Sequence, residues 1–129
     1  MKIIAKTVLG VMSGTSLDGI DLALVHFEKK ESWNFKFIHA ETVPYSPNWQ
    51  HHLQKLTQFK LEELHDLNAA YTNYLAEVIQ GFLEKNPTEK IDFISSHGHT
   101  ALHQPQEGIT YQIGNLPQLA SALGHAVIC

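Results

Sequence analysis

Residues 10–19 read Gly-Val-Met-Ser-Gly-Thr-Ser-Leu-Asp-Gly and sit between two apolar runs. Val8, Leu9, Val11 and Met12 have the character of a strand on one side. Ile20, Leu22, Leu24, Val25 and Phe27 have it on the other, interrupted by Asp21 and Ala23. The connection is built from glycine, hydroxyls and one carboxylate. Glycine lets a backbone turn sharply and come close to a ligand. Successive N–H groups in such a turn form a concave anion site. Ser13, Thr15 and Ser16 add hydroxyl donors, and Asp18 suits a hydrated Mg²⁺. The same residues also suit a plain β-hairpin with Asp18-Gly19 as its turn. Spacing alone leaves both readings open. A Walker A loop is excluded, because no Gly-Lys-Ser/Thr follows and no helix opens after the segment.

Length and composition bound the remaining choices. A chain of 129 residues, 43% hydrophobic and 17% charged, is enough for one folded domain with a modest core. The formal net charge of −4 argues against generic nucleic-acid binding. It does not argue against a phosphate ligand, because a backbone nest needs no lysine. The single cysteine, Cys129, allows no internal disulfide and suits a reducing compartment. No apolar run is long enough to span a bilayer, and Met1–Lys6 is too short and interrupted for a signal peptide. A cytoplasmic, membrane-free protein is expected.

Along the chain, Thr7–Met12 and Gly19–Glu28 read as strands, and Lys29–Ser32 as a charged turn. Trp33–Val43 reads as a third strand with Trp33, Phe35 and Phe37 on one side and Ile38 breaking the alternation. The three make an antiparallel meander ended by Pro44 and Pro47. Asn48–Leu56 suggests a short helix. Leu61–Glu84 carries apolar residues in steps of three and four, from Leu64 through Tyr71, Leu75 and Ile79 to Phe82, and predicts a long helix stopped at Asn86-Pro87. Its aromatic residues Tyr71, Tyr74 and Phe82 read as packing. A buried strand is expected at Ile91–Ser95, a loop at Ser96–Gly108 and a brief strand at Thr110–Ile113. A helix over Leu116–Leu123 is expected next, capped by Asn115 and ended by Gly124, and then another buried strand at Ala126–Ile128. A meander followed by α/β crossovers is an α/β fold with a mixed sheet.

Two polar stretches stand out beyond the glycine segment. His97, His99 and His103 lie in the loop after a buried strand, where α/β folds place active residues. A His-x-His with a third His nearby can ligate zinc. Ala101 and Leu102 stand where a two-metal hydrolase would need a carboxylate. Hydrogen bonding of His97 and His103 to an irregular loop, with His99 exposed, and contact with a substrate are the other readings. In Thr110–Asn115 the amides of Gln112 and Asn115 suit sugar hydroxyls or an acetamide. They equally suit a solvated strand residue and a helix cap. His26, His39, His51, His52, His65 and His125 are scattered and read as surface residues.

Gly10–Asp21 resembles the N-terminal phosphate loop of anhydro-N-acetylmuramic acid kinases. Ser96–Thr100, with His103 and Pro105, is similar to that family's His-Gly-Gln-Thr…His-x-Pro stretch, with His99 standing where the family has glutamine. Thr110–Asn115 is similar to its Thr-Leu-Gln-Ile-Gly segment. The three motifs occur in the family's order and span the chain. The resemblance implies an actin/hexokinase/Hsp70-like (ribonuclease H-like) mixed sheet with helices on its faces. Residues 1–129 would then be the N-terminal lobe of a two-lobe sugar kinase, with the second lobe absent. It implies ATP with Mg²⁺, held by Gly14, Thr15, Ser16, Leu17, Asp18, Gly19, Ile20 and Asp21. It also implies an amino sugar contacted by His97, Thr100, Gln112 and Asn115.

The family reaction opens the 1,6-anhydro ring of a muramic sugar with water and transfers the ATP γ-phosphate to O6, giving N-acetylmuramic acid 6-phosphate during cell-wall recycling. Phosphoryl transfer is mostly positioning plus charge neutralisation, which suits the glycine segment. Ring opening also needs a base to activate water. The resemblance puts that base, an aspartate, in a segment that follows the strand matching 126–129. The expectation is therefore a truncated lobe, inactive alone, with no catalytic base assigned within it and no dedicated metal ligand. A lobe ending at an inner strand is expected to pair with a complementary C-terminal fragment or with itself. A small metal-dependent hydrolase using His97, His99 and His103, and a non-catalytic nucleotide- or sugar-binding remnant, are the other classes left open.

Overall fold

The computed structural model describes residues 4–13, 19–55, 60–87, 91–97, 99–104, 109–114 and 117–128; of residues 61, 99–104 and 109–112 the backbone alone is described. Three strands open the chain: β1 (Ile4–Ser13), β2 (Gly19–Lys29) and β3 (Trp33–Pro44). Helices α1 (Pro47–Gln54) and α2 (Leu61–Lys85) follow. The chain continues through β4 (Phe93–Ser96), the hairpin of β5 (His99–Gln104) with β6 (Ile109–Ile113), α3 (Gln118–Leu123) and β7 (Val127–Ile128). The main sheet has the order β3-β2-β1-β4-β7. The β1–β2 and β2–β3 pairs are antiparallel, while β1–β4 and β4–β7 are parallel. This is the α/β mixed sheet of the actin/hexokinase/Hsp70 type that the sequence led us to expect.

Strand alternation divides the sheet. Leu9 and Val11 of β1, Ile20, Leu22 and Leu24 of β2, and Ile94 of β4 point to one side and are almost fully buried. There they meet Leu64, Tyr71, Leu75, Ile79 and Phe82 of α2, with Leu53 of α1 and Leu119 of α3 in the same cluster. The steps of three and four in α2 put these residues on one stripe, and sheet and helix hide each other's apolar surface. α2 starts where the Glu63 carboxylate accepts the Lys60 N–H at 3.0 Å. α1 begins one residue earlier than the sequence suggested: Ser46 caps it, its hydroxyl accepting from Trp49 N–H, and Pro47 takes the first turn.

Four expectations are corrected. The Asp18-Gly19 pair is not a two-residue turn: Ser13 faces Ile20 across the ladder, so the whole segment between them makes the connection. Residues 99–104 are a strand paired with β6, not loop, and the register slips between Thr100 and Leu102, which hides the alternation. α3 opens at Gln118, not Leu116, with Pro117 at the cap position where Asn115 was expected; Asn115 itself lies outside the described residues, and Gly124 does end the helix, at φ 67°. β7 is not buried, since Ile128 is 56% exposed. In β3 the alternation is real, but Trp33, Phe35 and Phe37 point away from the core. Ile38, which breaks the pattern, is an extra residue: Leu24 pairs with His39 and Val25 with Phe37, a β-bulge.

Gly19 meets a hard steric limit. A Cβ there would lie 2.3 Å from the Val43 carbonyl oxygen and 2.9 Å from Pro44 Cα, both backbone atoms of β3. Around Gly81, inside α2, there is nothing within 4 Å of such a Cβ. Gly19→Ala should therefore destabilise by about 1–3 kcal/mol, as overpacking does. Gly81→Ala should stabilise by roughly 0.5–1 kcal/mol through helix propensity. Urea melts of the two variants measure both; equal effects would contradict the packing.

Candidate functional site

An open groove of about 700 Å³ lies on the face of the sheet turned away from α2. Gly10 and Met12 of β1, Asp21 of β2, Thr42 of β3, Ser95 of β4 and His97 line it. β1 and β4 run parallel and both end here. The carboxyl ends of parallel strands, with the loops that leave them, are where α/β sheets present ligand sites. The segment 14–18, between β1 and β2, leaves from this end. The same alternation that buries Ile20 and Leu22 turns Asp21 into the groove.

Asp21 is exposed, and Thr42, opposite it in the register, donates its hydroxyl hydrogen to Asp21 Oδ1. That bond orients the carboxylate and leaves its other oxygen available to a cation or water. The His97 backbone N–H donates to Val11 O at 3.1 Å, which ties the end of β4 to β1. Next to it, Ser96 is buried, and its Oγ has no hydrogen-bond partner among the described residues. A buried hydroxyl left unpaired costs about 1–3 kcal/mol; Ser96 alternates with Ser95 and so shares the core side of β4 with Ile94, under the groove floor and not in it.

On the core side, the root of the same connection is fixed by hydroxyls. Ser13 Oγ, at the end of β1, bonds Tyr45 OH, which bonds Tyr71 OH of α2 at 2.7 Å. Burial is the main reason both phenols titrate above the ordinary tyrosine range. For Tyr71 the neighbouring Tyr45 adds to the rise, while bonding to Ser13 opposes it. Both hydroxyls therefore stay protonated at neutral pH and act as bonding groups.

The residues expected to touch ligands divide accordingly. Asp21 and His97 line one groove. Gly19 and Ile20 adjoin it, but the Ile20 side chain is fully buried in the core, so only its backbone faces the connection. Thr100 and Gln112 are cross-strand partners in the β5–β6 hairpin. Gly14, Thr15, Ser16, Leu17, Asp18 and Asn115 lie outside the described residues. Among the described residues no group of three His, Cys, Asp or Glu side chains is gathered. The side chains of His99 and His103 lie outside the description. Also among the described residues, no helix is long and apolar enough to cross a membrane.

Sequence reasoning missed Thr42, Tyr45, Ser96 and Asn68. Thr42 and Ser96 needed the register. Tyr45 could have been suspected, because an aromatic residue between Pro44 and Ser46-Pro47 is an apolar anchor in a segment that must turn. Asn68 is a polar residue on an otherwise apolar helical stripe.

A family model described as anhydro-N-acetylmuramic acid kinase matches residues 6–129. An anhydro-N-acetylmuramic acid kinase of Bradyrhizobium diazoefficiens is 37% identical over 128 residues, covering 91% of this chain and 34% of that protein. One of Bacillus cereus is 36% identical over 135 residues, covering 94% and 35%. One of Hydrogenovibrio crunogenus is 34% identical over 125 residues, covering 93% and 33%. The chain thus spans about a third of the length of the curated relatives it matches.

The raised tyrosines carry a sign that can be checked. In the unfolded chain a phenol loses its proton near pH ~10, whereas folded Tyr71 and Tyr45 keep theirs. The folded state then binds more protons, so stability is complete below pH ~10 and falls as pH rises beyond it. Thermal melts between pH 8 and 11 should show that fall, and Tyr71→Phe should make it shallower. An unchanged slope in the variant would contradict the assignment.

Proposed function

The chain belongs to the anhydro-N-acetylmuramic acid kinase family, and from that premise we propose that residues 14–21 hold the phosphates of ATP together with Mg²⁺. The amino sugar would lie toward His97 and the β5–β6 hairpin, in reach of Thr100, Gln112 and Asn115. The whole protein would convert 1,6-anhydro-N-acetylmuramic acid to N-acetylmuramic acid 6-phosphate at the expense of ATP and water. A cytoplasmic setting, where ATP is available, goes with this reading.

One observation carries it: Asp21, at the foot of the glycine- and hydroxyl-rich connection, and His97, at the end of β4, face the same groove. The donor set fits the expected ligands. Mg²⁺ binds through one or two carboxylates plus phosphates while keeping several waters, and Asp21 offers such a carboxylate already oriented by Thr42. Mg²⁺, when bound, supplies charge neutralisation for the transferring phosphoryl group.

Each residue of this chain then has a positioning task. The N–H groups and hydroxyls of 14–19 would orient the phosphates, and Asp21 would be the carboxylate that holds Mg²⁺. The His97 backbone bond to Val11 keeps the sugar side registered against the phosphate side. Activation of the attacking water needs a base. Asp21 is committed to the phosphate side, and no other groove residue is assigned that task.

Two measurements test the reading on the 129-residue polypeptide. Titration with ATP·Mg²⁺ should shift the amide resonances of Gly14, Thr15 and Gly19 at millimolar ligand. Asp21→Asn should weaken the Mg²⁺-dependent part of that binding by about tenfold, the loss expected for one charge-assisted contact. A coupled assay with ATP, Mg²⁺ and the anhydro sugar should show no turnover by these residues alone. Amides that stay put at millimolar nucleotide would contradict the proposal, and robust turnover would put the missing base within these residues.

A further inference from the structure

We infer that Tyr71, in the middle of α2, is a positioning residue that sets the phosphate-side connection and the β6 exit against each other, so that the two ligand sides of the site move as one. This rests on the nucleotide reading of residues 14–21. Tyr71 is completely buried and touches both sides. Its hydroxyl belongs to the Ser13–Tyr45–Tyr71 cluster, and Ser13 is the last residue of β1 before the connection. Its ring lies against Gly114, immediately after β6: a Cβ at Gly114 would sit 2.8 Å from both Cδ1 and Cε1 of Tyr71. Gly114 has φ +93°, a backbone that glycine adopts without strain.

One turn back along the helix, buried Asn68 accepts the Gly114 N–H at 2.8 Å and also faces the Thr72 hydroxyl. Asn68 and Tyr71 are three residues apart and share a helix face. That face therefore holds Gly114 from two directions, by a hydrogen bond and by a ring edge. The same ring reaches Ser13 through hydroxyls. A rigid helix joins segments about a hundred residues apart in sequence, and the packed interior leaves little slack for one to shift without the other.

The test uses the 129-residue chain and two kinds of readout. Gly114→Ala pushes a methyl group into the Tyr71 ring. Without any ligand it should move the amide resonances of Ser13, Gly19 and Ile20, and in a Tyr71→Phe background, where the hydroxyl that bonds Ser13 and Tyr45 is gone, that movement should fall to the level of an Ile79→Val control. Ile79 is equally buried on α2 but belongs to neither contact. Gly114→Ala and Tyr71→Phe should each weaken ADP·Mg²⁺ binding by about fivefold or more, the lower range of coupling between linked sites, while Ile79→Val leaves it unchanged at a similar loss of thermal stability. Where Gly114→Ala does not fold, Tyr71→Phe carries both readouts, because it keeps the ring and removes only the hydroxyl.

Resonance changes confined to the neighbourhood of each substitution would overturn the inference, as would Tyr71→Phe and Ile79→Val acting alike. If the unmodified chain does not bind ADP·Mg²⁺ at all, the nucleotide reading fails, and the ligand-free resonances still decide the coupling.

Discussion

The packing of α2 on one face of the mixed sheet is the constraint from which the rest follows. Strands alternate, so each residue sent under the helix sends its neighbour to the opposite side. Burying Ile20 and Leu22 obliges Asp21 to face the groove, and burying Val11 turns Gly10 and Met12 toward it. The apolar stripe of one helix thus decides which polar residues become available to a ligand. The register then adds what no single strand carries: Thr42 falls opposite Asp21, and His97 is drawn to Val11.

The two faces differ in what they need. The helix face is finished, with ring against ring around Tyr45, Trp49, Tyr71 and Tyr74 at centroid separations of 5.2–6.4 Å. Several polar groups that enter it are bonded to one another: the three hydroxyls of Ser13, Tyr45 and Tyr71, and the Asn68 amide against Gly114. The groove face keeps an unfinished group, the second Asp21 oxygen. A bonded interior next to an unbonded groove is how a scaffold presents reactive groups in fixed positions. It supports reading the chain as one side of a kinase site.

Much of the fold was legible because its signals are periodic. The stripe from Leu64 to Phe82 gave α2 within a residue of its observed end, and the alternation around the glycine segment gave β1 and β2. Period alone does not say which side of a strand is buried, so Trp33, Phe35 and Phe37 were recognised as one face without the sign of that face. The β5 strand was illegible because its register slips between Thr100 and Leu102, which breaks the two-residue repeat and leaves histidines and glycine to suggest a loop. For the site, Asp21 and His97 were legible as chemistry near strand ends. Thr42, Ser96 and the tyrosine cluster depend on contacts across many residues of sequence, which no local pattern encodes.

We propose the connection between β1 and β2 as an anion cradle completed by Asp21. A crystal structure of the chain with ADP and Mg²⁺ tests it most directly. The terminal phosphate should lie within hydrogen-bonding reach of the amides of residues 14–19, with Mg²⁺ or one of its waters on Asp21. It would be contradicted by those amides bonding to the protein's own carbonyls while the nucleotide binds elsewhere or is not held.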